Sequence, residues 1–185
     1  AYKVGRDRFE TVITASGQWR CMFSQPYEIV MCGKGGNGGN AVNLYLGGNG
    51  GGALTGYKKL YIEASDVWTA VFSSASGGTC SFANIANTLQ AQNGYNGVTD
   101  GYQTPTACGS SHAGFDRVVA GRYGYANVSN GGDSELGIGG ETGNVLGSAI
   151  GANGKGYGAG AGAGWKDIAN GIGGIGAPAV IIIKG

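Results

Sequence analysis

The chain carries one histidine, His112, inside Cys108-Gly109-Ser110-Ser111-His112-Ala113-Gly114. Ser110, Ser111 and Cys108 are its neighbours in sequence. A catalytic triad needs nucleophile, base and orienting group held in a fixed geometry, and adjacency along a chain supplies none of that. His112 therefore reads as a loop residue that meets solvent or a ligand, not as a base. Acids are sparse, and the one close pair is Asp133-Ser134-Glu135 in a glycine-rich turn. It is poorly framed for glycoside cleavage. Calcium needs roughly six or more oxygens, so two side chains there cap a turn as readily as they bind a cation. The glycine runs lack the Lys-Ser/Thr ending of a phosphate-binding loop, which removes nucleotide chemistry. The expectation is a protein with no catalytic residues, no metal and no cofactor.

The four cysteines are Cys21, Cys32, Cys80 and Cys108, with no CxxC spacing and too little histidine for zinc. Cys21 and Cys32 fall on consecutive predicted strands and could face each other, which would leave Cys80 with Cys108. Buried free thiols are the open alternative. The stretch Asn93 to Asp133 has another character: Tyr95, Tyr102, Phe115, Tyr123 and Tyr125 alternate with Asn, Asp and Gln. Arg117 and Arg122 are the only arginines beyond the first 20 residues. Tyrosines among small and amide residues give rigid amphipathic area at low entropic cost, the chemistry of a binding loop, and they suit a sugar as well. Tyr95, Tyr102, His112, Phe115, Arg117, Arg122, Tyr123 and Tyr125 are thus the candidate ligand-binding residues. The competing reading is that these rings merely cover glycine-rich backbone.

Something must position those loops, and 41 of the 185 residues are glycine, about three times the usual share. Only 3 prolines are present, which excludes collagen. The net charge of +1 gives no reason to expect nucleic acid or an anionic membrane. No apolar run approaches a membrane span of about 20 residues, and an initial alanine suggests a processed product or a fragment of something longer. Glycine-free segments read as strands: Phe9–Thr14, Trp19–Phe23, Tyr27–Cys32, Leu60–Glu63, Val67–Ser73 and Ala179–Lys184. Ser24-Gln25-Pro26 and Ala64-Ser65-Asp66 read as turns joining consecutive strands into pairs. No segment makes a convincing amphipathic helix; Phe82–Gln92 comes nearest.

Residues 33–56 hold 11 glycines and residues 137–176 hold 16. Triplet spacing recurs at Gly33, Gly36, Gly39; Gly48, Gly51; Gly137, Gly140, Gly143; Gly151, Gly154; and Gly171, Gly174. A period of three suits polyproline II helices, which pack closely where the facing residue lacks a Cβ. Gly154 to Gly164 alternates with period two instead, which predicts a silk-like strand with its glycines on one face.

The order of segments resembles the glycine-rich domain at the distal ends of phage tail fibres. Phe9–Trp19 is followed by Tyr27–Cys32 running into Gly33-Lys34-Gly35-Gly36-Asn37-Gly38-Gly39-Asn40-Ala41. Then come Tyr57–Glu63, Val67–Phe72, Gly77-Gly78-Thr79-Cys80-Ser81-Phe82, Gly156-Tyr157-Gly158-Ala159-Gly160 and Gly173-Gly174-Ile175-Gly176-Ala177-Pro178-Ala179-Val180-Ile181-Ile182. The likeness spans residues 9–185 and is weakest over 88–136. A related arrangement occurs in the glycine-rich extracellular region of certain receptor tyrosine kinases, which speaks for a shared fold and not a shared role. Four cysteines and a first glycine run broken by Lys34, Asn37 and Asn40 depart from the family pattern.

The resemblance implies an all-β fold, a β-sandwich of jelly-roll or tumour-necrosis-factor-like type with packed polyproline-II-like or extended glycine segments. It implies a single fibre-tip domain over 1–185, with 1–8 the end of a shaft or connector. It further implies a homotrimeric setting, on a virion tail fibre or a bacterial surface, and a bacterial receptor (glycan or outer-membrane protein) as partner. The expected function is non-catalytic host recognition without nucleic-acid binding or membrane insertion. A structural or ice-binding protein and a polysaccharide-acting enzyme are the alternatives.

Overall fold

The computed structural model describes residues 9–101, 106–124, 130–143, 149–166 and 170–185. Among these residues it is all-β without a helix: two five-stranded antiparallel sheets packed as a sandwich, and a bundle of glycine-rich runs extending from one end. The strands are β1 (Glu10–Ile13), β2 (Gly17–Arg20), β3 (Gln25–Cys32), β4 (Thr55–Ile62), β5 (Val67–Val71), β6 (Thr79–Ala83), β7 (Thr88–Gln92), β8 (His112–Ala113), β9 (Arg117–Val119), β10 (Gly137–Ile138), β11 (Lys155–Gly156) and β12 (Val180–Lys184). One sheet has the order β1-β12-β3-β4-β9 and the other β2-β5-β6-β7-β8, while β10 and β11 form a separate hairpin.

Alternation along the strands builds the core. Tyr27, Ile29 and Met31 of β3 and Ile181 and Ile183 of β12 face Trp68, Ala70, Cys80, Phe82, Leu89 and Ala91 of the second sheet. Trp68 stacks on Phe82 at 4.9 Å between centroids, and Trp19 meets the Tyr27 ring edge-on. Cys32, Val180 and Ile182 point the other way, where Ala53, Leu136 and Tyr157 cover them.

Both expected strand-pairing turns do something else. Ser24 lies between β2 and β3, and Ala64-Ser65-Asp66 between β4 and β5, and each carries the chain from one sheet to the other. A local turn signature specifies that the chain reverses, not which sheet it rejoins. The two crossings brace each other: Cys21 N–H donates to Asp66 O, Ser65 N–H to Cys21 O, and Ala64 N–H to Ser24 Oγ. Phe82–Gln92 is no helix; Asn84 Oδ1 accepts from Ala86 and Asn87 N–H and turns β6 back into β7.

The bundle follows the triplet rule. Gly33, Gly36 and Gly39 donate to Leu54, Gly51 and Gly48 in antiparallel order; Gly35, Gly38 and Ala41 donate to Ala177, Gly174 and Gly171. Gly94, Gly97 and Asp100 donate to Lys34, Asn37 and Asn40, a parallel neighbour. Bonds every third residue to several neighbours are what a helix of three residues per turn makes. The glycines are there for proximity. A Cβ on Gly36 would overlap the carbonyl oxygen of Tyr95, and one on Gly38 that of Gly162. The glycine Cα–H then points at that oxygen, a weak but recurring attraction.

The residues that interrupt the glycines belong to the pattern. Asn37 and Asn40 accept from Gly176 and Gly173 N–H through their side-chain oxygens, and buried Asn49 accepts from Ala163 N–H at 2.7 Å. Asn93, Asn96 and Asn153 do the same for Lys34, Asn37 and Ile175. The expected silk-like strand is corrected. Only Lys155–Gly156 is a strand, and beyond it Gly158, Ala161 and Gly164 donate to Pro178, Gly36 and Gly39. A three-residue period there overrides the two-residue composition, and Ala159, Ala161 and Ala163, all fully buried, find room for their methyls.

The four cysteines are free, so neither Cys21–Cys32 nor Cys80–Cys108 is bridged. Cys21 sits before β3 beside the Tyr27 hydroxyl, whereas Cys32 ends β3 and accepts from Thr55 Oγ1 at 3.2 Å. The length of a strand separates them. Cys80 donates to Asn93 Oδ1 inside the sandwich, while Cys108 lies in the bundle. Burial pushes the Cys32 thiol up to about 11 and raises that of Cys80.

Two measurements check this account. Gly36→Ala is expected to cost about 3 kcal/mol or more, read as a lowered Tm, because backbone cannot yield as a side chain can. Gly17→Ala, where nothing lies within 4 Å of the new methyl, should stay within about 1 kcal/mol of the parent. In the folded protein at neutral pH only half-buried Cys108 should react with a thiol reagent; denaturation should release all four thiols, and a bridged pair would never react.

Candidate functional site

The loop at the far end of the bundle is Ala41 to Leu46, the reversal between the run 33–40 and the run 47–54. Six residues without glycine mark the place where the chain must turn, since Gly39 and Gly48 are partners. Bridges from Ala41 to Gly171 and from Leu46 to Trp165 fasten its two ends. Asp100 fastens its middle: the carboxylate accepts Val42 N–H at 2.7 Å, Asn43 and Leu44 N–H at 3.0 Å, and Asn43 Nδ2. Lys166 adds two contacts, its N–H to Tyr45 O and its ammonium to Val42 O.

The clamped loop turns Leu44 and Tyr45 outward at 49% and 74% exposure, while Leu46 is buried against Ala163. Leu44, Tyr45, Leu46 and Trp165 line a concavity of about 430 Å³. The Trp165 indole Nε1 is buried and has no hydrogen-bond partner among the described residues, an arrangement that costs stability. Among the described residues no carboxylate, imidazole or thiol lines this surface, which offers apolar contact and one or two hydrogen bonds.

Among the described residues the candidates drawn from the tyrosine-rich stretch have different settings. Tyr102 and Tyr125 lie outside the described residues. Tyr95 packs its ring on Gly77, whose φ is +62°, and accepts from Gln92 Nε2 at its hydroxyl, so it covers glycine backbone. Phe115 lies against Gly56 and joins the sandwich core. Arg117 stands 3.8 Å over the Tyr57 ring, and the Tyr57 hydroxyl reaches Glu135 at 3.4 Å; burial first, then the Glu135 charge, raises the Tyr57 pKa. His112 is exposed on β8, where it pairs with Ala91 at the sheet edge. Tyr123 is exposed, and Arg122 pairs with Asp133 at 3.7 Å.

Arg122, Asp133, Glu135 and Lys155 line a flank groove of about 600 Å³ beside the β10–β11 hairpin. In that groove the Asp133-Ser134-Glu135 pair caps a turn. Asp133 Oδ1 accepts Gly139 N–H, and Ser134 Oγ accepts Leu136 N–H and donates to Tyr157 O. Sequence reasoning missed the concavity because it followed tyrosine density. The signal that finds it is the gap between glycine triplets, at 40–46 and again after Gly164.

Searches against protein-family models and against curated proteins return no match for this chain.

The Asp100 clamp sets a pH dependence. Hydrogen bonds from Val42 and Leu44 hold its carboxyl down at about 2, below the ordinary 3.8. A depressed carboxylate stabilises the loop fully above its unfolded pKa and stops doing so as pH falls through the folded one. Exchange protection of the Val42, Asn43 and Leu44 amides should therefore persist at pH 5 and be lost near pH 2. In Asp100→Ala it should be lost at every pH, with the sandwich amides unaffected.

Proposed function

We propose that this chain is the receptor-binding tip of a trimeric fibre, a non-catalytic module that recognises a glycan or an outer-membrane component on a bacterial surface. The observation that carries this reading is the clamped loop at the end of the bundle, which holds Leu44 and Tyr45 out beside the Trp165 concavity. A recognition module needs its contact side chains displayed away from the body and fixed before the partner arrives, since ordering them on binding would cost affinity. The bundle gives the distance, and Asp100 and Lys166 give the fixation. The resemblance of residues 9–185 to phage tail-fibre tips supports the same reading.

In this reading the fibre multiplies weak contacts by presenting copies together. The contact set is centred on Leu44, Tyr45 and Trp165, with Tyr123 and Arg122 available on the flank.

The test is adsorption of the purified domain to a panel of bacterial strains. Binding to some strains is expected, falling at least tenfold for Tyr45→Ala at unchanged Tm, and likewise for Trp165→Ala, whose lost packing on Leu46 and Ala163 also lowers the Tm. Release of oligosaccharide from capsule or lipopolysaccharide, or thermal hysteresis in ice, would replace this reading with the enzyme or the ice-binding protein. A folded domain that adsorbs to nothing would also overturn it.

A further inference from the structure

A second surface runs lengthwise along the bundle. The run 171–178 turns its glycines inward, where Gly171, Gly173, Gly174 and Gly176 all abut backbone of this chain. Ala177 is buried with them, and every third position faces solvent: Ile172 is 56% and Ile175 62% exposed, and Pro178 is exposed as well. Spaced three residues apart, they recur about every 9 Å along a polyproline II helix. Ile150, 57% exposed, lies beside Ile172 on the adjoining run, to which it is bridged. At the sandwich end the row opens into a concavity of about 400 Å³ whose walls include Phe72, Ile175, Pro178 and Lys34.

Nothing in the fold of these segments asks for isoleucine on the outside. The backbone hydrogen bonds of Ile172 and Ile175 go to Ala149, Gly151, Gly154 and the Asn153 amide, and any side chain would permit them. Singly exposed apolar residues are ordinary; a continuous row at a fixed period on a rigid support marks an interaction surface. Lys34 is the sole charged residue lining the concavity, and among the described residues it makes no ion pair.

We propose that this row docks one extended protein segment of polyproline II type, with an apolar residue at every third position and a carboxylate at the end that meets Lys34. The width of the row selects this occupant. A strip one residue wide, broadened only where Ile150 flanks Ile172, is covered by a single extended chain, whereas a stable pairing of two folded bodies buries about 800 Å² on each side. The period selects it further. A β-strand, repeating every second residue, drifts out of step with a three-residue row within a few residues, while a polyproline II segment stays in step. Such segments also lose little entropy on binding because they are extended beforehand.

The probe is a fluorescein-labelled twelve-residue peptide, (Pro-Pro-Leu)4, carrying two aspartates at either its first or its last end. Its control has the same composition with the leucines moved off the three-residue repeat. By fluorescence anisotropy one of the two acidic peptides should bind this chain saturably, and the control at least tenfold more weakly. Ile175→Asn and Ile172→Asn, both outward-facing, should each weaken binding about tenfold at unchanged Tm; if one of them fails to fold, the other decides. Lys34→Glu should reverse the preference, favouring the peptide with lysines in place of the aspartates. Equal binding of repeat and control peptides, or no saturation, would overturn the proposal. So would a wild-type chain that self-associates, as dimer or trimer, and is monomeric as Ile175→Asn, since the row would then belong to another copy.

Discussion

The structure rests on how closely two backbones can approach. In the bundle, carbonyl oxygens of one run occupy the space where a neighbouring residue would carry its Cβ, so at those positions only a hydrogen fits. This is a steric demand and not a conformational one. Among the described glycines only Gly77, Gly114, Gly156 and Gly158 have positive φ, and the rest adopt backbone that other residues also adopt. Glycine loses more freedom on folding than any other residue. What offsets that loss is a dense set of backbone hydrogen bonds, each run using its N–H and C=O groups toward several neighbours at once.

Two kinds of interior therefore coexist. The sandwich is held by side chains: aromatic stacking of Trp68 on Phe82, and isoleucines of β12 set between the sheets. The bundle has almost no side chains to pack, and asparagine takes the part that a core residue plays elsewhere. An amide oxygen at the third position of a triplet reaches the next run and accepts from its N–H, as Asn37, Asn40 and Asn49 do. Where the two interiors meet, Cys32, Ala53, Val180 and Tyr157 seal the outer face of the first sheet. Rigidity at the loops follows from this arrangement, because a run bonded on several sides has no soft direction along which to bend.

Much of this was legible in the residues. β-branched alternation marks β1, β3 and β12, and the three-residue spacing of Gly33, Gly36 and Gly39 marks the bundle. Partnership was not legible, because Gly35 pairs with Ala177 and Gly94 with Lys34 across spans that no local pattern records. The Gly-Ala alternation at 158–164 misled for a related reason: alanine fits wherever a run faces a wider gap, and the gap is a property of the neighbours. The turns at Ser24 and Ala64–Asp66 could be seen, but their residues are the same whether a turn closes a hairpin or crosses between sheets. At the candidate site tyrosine content pointed to the flank, where Tyr95, Phe115 and Arg117 have structural work, while the loop that stands clear was announced only by missing glycines.

The last stretch of sequence holds the centre of both interiors. β12 lies between β1 and β3 in its sheet, and the run 171–178 supplies the partners of Gly35, Gly38 and Ala41. While this chain is being synthesised, β1 and β3 have no strand to share, and the first glycine run lacks one of its neighbours. The second sheet, β2-β5-β6-β7-β8, is complete in sequence by Ala113, whereas the first sheet and the bundle close only once residues 171–184 have emerged. Contacts of such long sequence separation make for slow folding, so the interval between emergence and closure is when this chain is most exposed to wrong pairing.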